Sequence, residues 1–175
     1  MKWLTCILLI STIFIAACVQ TKEQQEVEEM KSLKLTSYAF KHNEIIPSKY
    51  TCDGSDINPP LKIDGLPEDT RSLALIVDDP DAPMGIWVHW VVWNIPAKTN
   101  IEENSVPGME GLNDFKRQSY GGPCPPSGTH RYFFKVYALD TTLYLGTNSK
   151  KEEVEKAMEG RILAKGELIG LYKKK

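Results

Sequence analysis

Three apolar runs dominate the chain. Residues 72–77 (SLALIV) carry no charge and are bounded by turn-forming residues, the pattern of a buried strand. Residues 87–95 (WVHWVVWNI) are rich in Trp and Val, too β-prone for a surface helix, and Pro96 ends them. Residues 132–139 (YFFKVYAL) form the third run, closed by Asp140 and Thr141. Weaker alternation over 35–40 and 61–63 predicts shorter strands. Residues 162–172 (ILAKGELIGLY) contain two glycines, which favours strand over helix. Residues 100–119 are polar, carry Gly108 and Gly111, and read as a long loop.

Helical periodicity is convincing once. Ser149 stands as N-cap with Glu152 three residues on, a capping-box pattern. Val154, Ala157 and Met158 then make an apolar stripe, and Gly160 stops the segment near Glu159. Many short strands separated by turn signals, with one late helix, predict a mainly β protein. The expected architecture is an antiparallel β-sandwich with one or two peripheral helices.

The N-terminal pattern differs in kind. Residues 3–17 are almost wholly apolar after Lys2, too short for a membrane-spanning helix, and end in Ile15-Ala16-Ala17-Cys18. Small residues before a cysteine resemble the lipobox of a bacterial lipoprotein. The expected division is a signal peptide over 1–17, a lipidated Cys18 with a polar Gln/Glu-rich tether over 18–34, and one domain over 35–175. This predicts export to the cell envelope and a membrane contact through the lipid anchor.

Charge and cysteine content narrow the function. Lys plus Arg is 21 and Asp plus Glu is 23, a net charge of −2 and no basic excess for general nucleic-acid binding. Of four cysteines, Cys6 lies in the signal and Cys18 at the lipid site, which leaves Cys52 and Cys124. Both adjoin loop-forming residues, so a bridge in an oxidising compartment is open, but the sequence does not fix their distance. No CxxC or metal-type Cys/His spacing argues for zinc, and no GxGxxG, P-loop, HExxH or GxSxG motif argues for a cofactor or a nucleophile elbow.

The candidate chemistry sits in two loops. Asp78-Asp79-Pro80-Asp81-Ala82-Pro83 packs three carboxylates into four positions, with the prolines stiffening the chain. Asp81 reads as a structural turn residue, whereas Asp79 is balanced between structure and function. Strand alternation puts Trp87, His89 and Val91 on one face, with Val88 and Trp90 opposite. A histidine on an apolar strand is usually core, but nearby carboxylates favour its charged form, and imidazolium with backbone N–H groups can hold an anion. Gly121-Gly122-Pro123-Cys124-Pro125-Pro126 forms a second rigid loop whose glycines allow close backbone approach. It is followed by His130, which shares a strand face with Tyr132, while Arg131 points away toward a carboxylate partner.

DPDAP followed by WVHW, then GPCPPSGTHRY and FKVYALD, resembles the phosphatidylethanolamine-binding protein family, and more closely its bacterial Raf kinase inhibitor-like branch. IPSKYTCDG, NPPL and GELIGLY match that branch too, so the likeness covers roughly residues 33–172. The link Ser127-Gly128-Thr129 is shorter than in many relatives. The resemblance implies a small pocket for phosphate, acetate or phosphoryl head groups. By motif, Asp79 and His89 line it, with Trp87 beside them and His130 opposite. Gly122 and the loop Pro123 to Pro126, including Pro125, form the remaining wall, with Tyr132 contributing. It also implies a binding or modulatory protein without cofactor or turnover. Two alternatives stand beside this reading. One is a hydrolase using Asp79 with His89 or His130 as an acid–base pair. The other is a protein–protein module that inhibits an extracytoplasmic enzyme or dimerises.

Overall fold

The computed structural model describes residues 31–174; the signal, Cys18 and most of the tether lie outside these residues. The strands are β1 (Lys31–Ser32), β2 (Lys34–Thr36), β3 (Glu44–Ile45), β4 (Leu61–Asp64), β5 (Ser72–Asp79), β6 (Trp87–Pro96), β7 (Asn100–Ile101), β8 (Met109–Glu110), β9 (Thr129–Leu139) and β10 (Ile162–Lys173). Helix α1 spans Lys151–Met158, and a single 3-10 turn spans Ser48–Tyr50. The large sheet runs β1-β10-β9-β5-β6-β8, with β3 also on β10; the small sheet is β2-β4-β7. Every pairing is antiparallel except those of β1 and β3 with β10. The expected β-sandwich with a peripheral helix is what forms.

The long strand β5 is buried along its whole length because the large sheet is covered on both faces. Leu73, Leu75 and Val77 face a core shared with Leu35, Leu61, Ile63 and Ile101 of the small sheet. Ala74 and Ile76 face a second core under α1, where Val154 and Met158 pack against Val91 and Trp93.

Several boundaries move. The folded domain expected from residue 35 also takes in Lys31–Ser32, which pairs with β10, and Leu33, which is buried in the core. The first strand ends at Thr36, and 37–40 turn away, with the Ser37 hydroxyl bonded to the Pro60 carbonyl. The helix is capped one residue later than Ser149: the Lys150 N–H donates to Glu153 Oε2, while the Ser149 carbonyl accepts from the Leu112 N–H. The loop 100–119 contains the two-residue strands β7 and β8. Strand β9 begins at Thr129, so His130 is a strand residue, and β5 extends to Asp79, so Asp78 and Asp79 are too.

Alternation also breaks inside β6. Asp78 pairs with Val88 but Val77 pairs with Trp90, leaving His89 as the extra residue of a bulge. The bulge shifts the phase, so Trp90 faces the first core and Val91 the second. The expected shared face of Trp87, His89 and Val91 therefore ends at His89.

Candidate functional site

The bulge is held from outside. The His89 carbonyl accepts the Gly121 N–H and the Asn113 side-chain amide, both at 3.0 Å. Asn113 also bonds the Ser119 carbonyl and the Arg117 N–H, which folds 113–121 against β6. This packing brings Phe115 under the site, with ring centroids 5.4 Å from Trp87 and 5.3 Å from His89. Tyr132 of β9 closes the other side of His89 at 5.2 Å, edge-on.

His89 Nδ1 lies 2.6 Å from the Gly121 carbonyl oxygen. A carbonyl only accepts, so Nδ1 carries the proton and the neutral ring keeps its lone pair on Nε2. Burial lowers the His89 pKa below the ordinary imidazole value, against smaller upward pulls from the Gly121 carbonyl and the Asp79 charge.

The three clustered aspartates separate completely. Asp78 points to the second core and meets Lys135 and Lys151. Asp79 stays at the strand end: Oδ2 accepts from His130 Nδ1 at 2.7 Å and Oδ1 from the Asp81 N–H at 2.8 Å. Asp81 turns outward into a bidentate pair with Arg131 (2.8 and 2.6 Å) and accepts the Arg131 N–H. Hydrogen bonding to Arg131 holds the Asp81 carboxyl down at about 2. The pair is solvent-exposed, so Arg131→Ala is expected to cost under about 1 kcal/mol in urea unfolding.

Of the three aspartates only Asp79 borders a cavity of about 320 Å³, lined by Asp79, Ala82, Pro83, Met84, Trp87, His89, Phe115, Cys124, Pro125 and Pro126. Gly85 reverses the outer loop: its φ is 102°, a conformation a side chain would resist, and its N–H donates to the Ala82 carbonyl.

Of the residues singled out in the sequence, Asp79, Trp87, His89 and Pro125 line this cavity, and Gly122, Pro123, His130 and Tyr132 stand outside its lining. The Cα side of Gly122 is packed on the 50–51 backbone, where a Cβ would meet the Tyr50 carbonyl oxygen at 2.6 Å, and its N–H donates to Asp56. The Pro123 carbonyl accepts the Cys52 N–H. His130 stands behind Asp79 and orients it. Tyr132 is fully buried, and its hydroxyl completes no hydrogen bond of good geometry. Burial first, and the Asp79 charge second, raise its pKa, so the phenol stays protonated. Cys52 and Cys124 are joined in a disulfide with Cα atoms 5.4 Å apart, pinning the pocket loop to the turn after Tyr50.

Sequence reasoning missed Phe115, Ala82, Pro83 and Met84. The available signal for Phe115 was a lone aromatic between Asp114 and Lys116 in an otherwise polar stretch. Met84 is almost fully exposed beside a glycine turn.

Two sheets enclose a core, and a half-open cavity at the strand ends is bordered by His89 and by Asp79, which is paired with His130. The chain belongs to the phosphatidylethanolamine-binding protein family, whose model matches residues 36–173. It is 54% identical over 159 residues to UPF0098 protein PH1269 of Pyrococcus horikoshii, covering 85% of this chain and 80% of that one. A UPF0098 protein of Methanothermobacter thermautotrophicus is 52% identical, covering 81% and 99%. Among solved structures, the phosphatidylethanolamine-binding protein homologue CT736 of Chlamydia trachomatis superimposes with a TM-score of 0.80 at 41% identity, covering 83% of this chain and 99% of that one. YbcL of E. coli, described as a member of the mammalian family, gives 0.76 at 33% identity, covering 82% and 99%.

Proposed function

We propose that the cavity binds a small anion or a phosphoryl-bearing head group reversibly and without turnover. The observation that carries this reading is the neutral His89 beside Asp79 in a mainly apolar cavity, its tautomer set by Gly121 so that Nε2 can accept a proton from the ligand or from solvent. The charge of Asp79 does not oppose an anion strongly, because His130 and the Asp81 N–H already bond both its oxygens. The family's name, which refers to phosphatidylethanolamine, supports phosphoryl chemistry. Titration calorimetry of the wild type with phosphate and with phosphoethanolamine is expected to show saturable binding of one ligand per chain. No heat of binding with either ligand would sink the proposal.

The hydrolase alternative draws on the Asp79–His130 pair, which has acid–base geometry. Binding is favoured because, among the described residues, the lining offers no hydroxyl or free thiol: Cys124 is in the disulfide, and the exposed Ser127 stands outside the lining.

We also place the chain in the bacterial Raf kinase inhibitor-like branch on its motifs, and infer that Cys18 anchors it at the cell envelope. Several acyl chains hold a protein far more firmly than one. Cys18→Ser is expected to move the protein from the membrane fraction to the soluble fraction. Retention in membranes with an unprocessed N-terminus would show that the lipobox reading fails.

A further inference from the structure

We propose that the Cys52–Cys124 disulfide is a thiol-exchange site through which the pocket wall is opened, with the Cys52 sulfur as the point of attack by a dithiol reductant. Its two cysteines have different surroundings. Cys52 is solvent-exposed in the turn after Tyr50, whereas Cys124 is half-buried and lines the cavity between Pro123 and Pro125. One bond thus joins a point a reagent can reach to the wall a ligand touches.

The bridge is also not the only tie between its two segments. The Cys52 N–H donates to the Pro123 carbonyl at 3.1 Å, the Tyr120 hydroxyl to the Tyr50 carbonyl at 2.9 Å, and the Gly122 N–H to Asp56 at 2.6 Å. Tyr120 is buried in the first core, so this seam does not depend on the sulfur atoms. Breaking the disulfide therefore acts on the cavity wall and leaves the fold in place.

The exchange proceeds in two displacements. A thiolate of the dithiol attacks the Cys52 sulfur, forming a mixed disulfide there and expelling Cys124 as a thiolate, which takes a proton from solvent. The second thiol then attacks the reagent's own sulfur, releasing Cys52 and closing the reagent's disulfide. Two electrons pass from the dithiol to the protein disulfide. The product carries a free thiol in the cavity wall and a pocket loop tethered only by hydrogen bonds. Weaker ligand binding in that state rests on the anion-pocket reading; the exchange site itself does not.

The test uses the full chain. Folded protein is exposed to glutathione, quenched with iodoacetamide and mapped by mass spectrometry, with near-ultraviolet circular dichroism followed throughout. Glutathione on Cys52 and carbamidomethyl on Cys124, with an unchanged spectrum, is the expected result. Glutathione on Cys124, or exchange only once denaturant unfolds the chain, would overturn the proposal. After dithiothreitol, affinity for inorganic phosphate is expected to fall about tenfold through lost preorganisation, and to return on reoxidation. In Cys52→Ser, phosphate should slow alkylation of Cys124. Equal phosphate binding by reduced and oxidised protein, with no protection of Cys124, refutes the link to the pocket. Failure of the oxidised protein to bind phosphate defeats the anion reading instead, and glutathione mapping alone then decides the exchange site.

Discussion

Asp78→Ala is expected to lower the free energy of unfolding by about 3–5 kcal/mol, the range for removing one partner from a buried ionic set. Asp78 is 1% exposed and accepts from Lys135 at 2.8 and 3.0 Å and from Lys151 at 2.6 Å. Without it, two ammonium groups face each other across the sheet surface under α1. Glu155 lies 3.8 Å from Lys151, too far and too exposed to replace the lost carboxylate. Lys151 is the first residue of α1, so the helix that covers the second core loses its ionic tie at the first turn and keeps the packing of Val154 and Met158. Lys135 keeps partial solvent contact, which places the cost toward the lower half of the range.

Urea unfolding measures the effect, and an unchanged m value identifies it as a change in stability. Replacing all three residues together with Leu at 78 and Met at 135 and 151 should recover most of the loss, because the desolvation of three charges disappears with them. If Asp78→Ala costs under about 1 kcal/mol, the network behaves like an ordinary surface pair.

The run Asp78-Asp79-Pro80-Asp81 illustrates what sequence can and cannot convey. Its acidity and stiffness are legible, as is its position beside a buried strand. Its division is not: strand pleating sends Asp78 to one sheet face and Asp79 to the other, while the turn releases Asp81 to Arg131. The lysines that meet Asp78 lie 57 and 73 residues away, on elements whose contact only the tertiary fold creates. The Asp81 reading as structural and the Arg131 reading as a carboxylate partner hold because both follow from alternation near a turn.

The same reasoning explains the strands. Apolar runs in β5, β6, β9 and β10 mark buried segments, so their existence is visible while their ends are set by pairing partners. The bulge at His89 has no local signature in WVHWVVW, since it arises from register against β5 and from the loop 113–121. Gly122 and Pro123 resemble pocket residues because Gly/Pro loops often touch ligands. Here their close approach is to the 50–52 backbone.

His89 carries the second large effect. His89→Ala is expected to weaken sulfate or phosphate binding by about 10- to 150-fold, the loss of one hydrogen bond to a charged group, about 1.5–3 kcal/mol. Sulfate is the cleaner probe of pH because it does not titrate near neutrality. The buried ring is neutral in the free protein, so holding a fully ionised anion requires it to take up a proton. Sulfate affinity should therefore rise as pH falls from 8 to 5, with proton uptake seen as a buffer-dependent heat. The free protein shows the opposite trend. Its His89 pKa lies below the unfolded value of 6.5, so the unfolded chain binds more protons across that window. The stability contribution of a neutral His89 is thus full above pH 6.5 and is lost as pH falls toward the lowered folded value. Asp79, Asp56 and Tyr132 also act on this ring, and His130 bonds Asp79, so His130→Gln is the necessary control. If the pH slope persists in His89→Ala and vanishes in His130→Gln, the proton belongs to the Asp79–His130 pair, and His89 is a core residue beside the site.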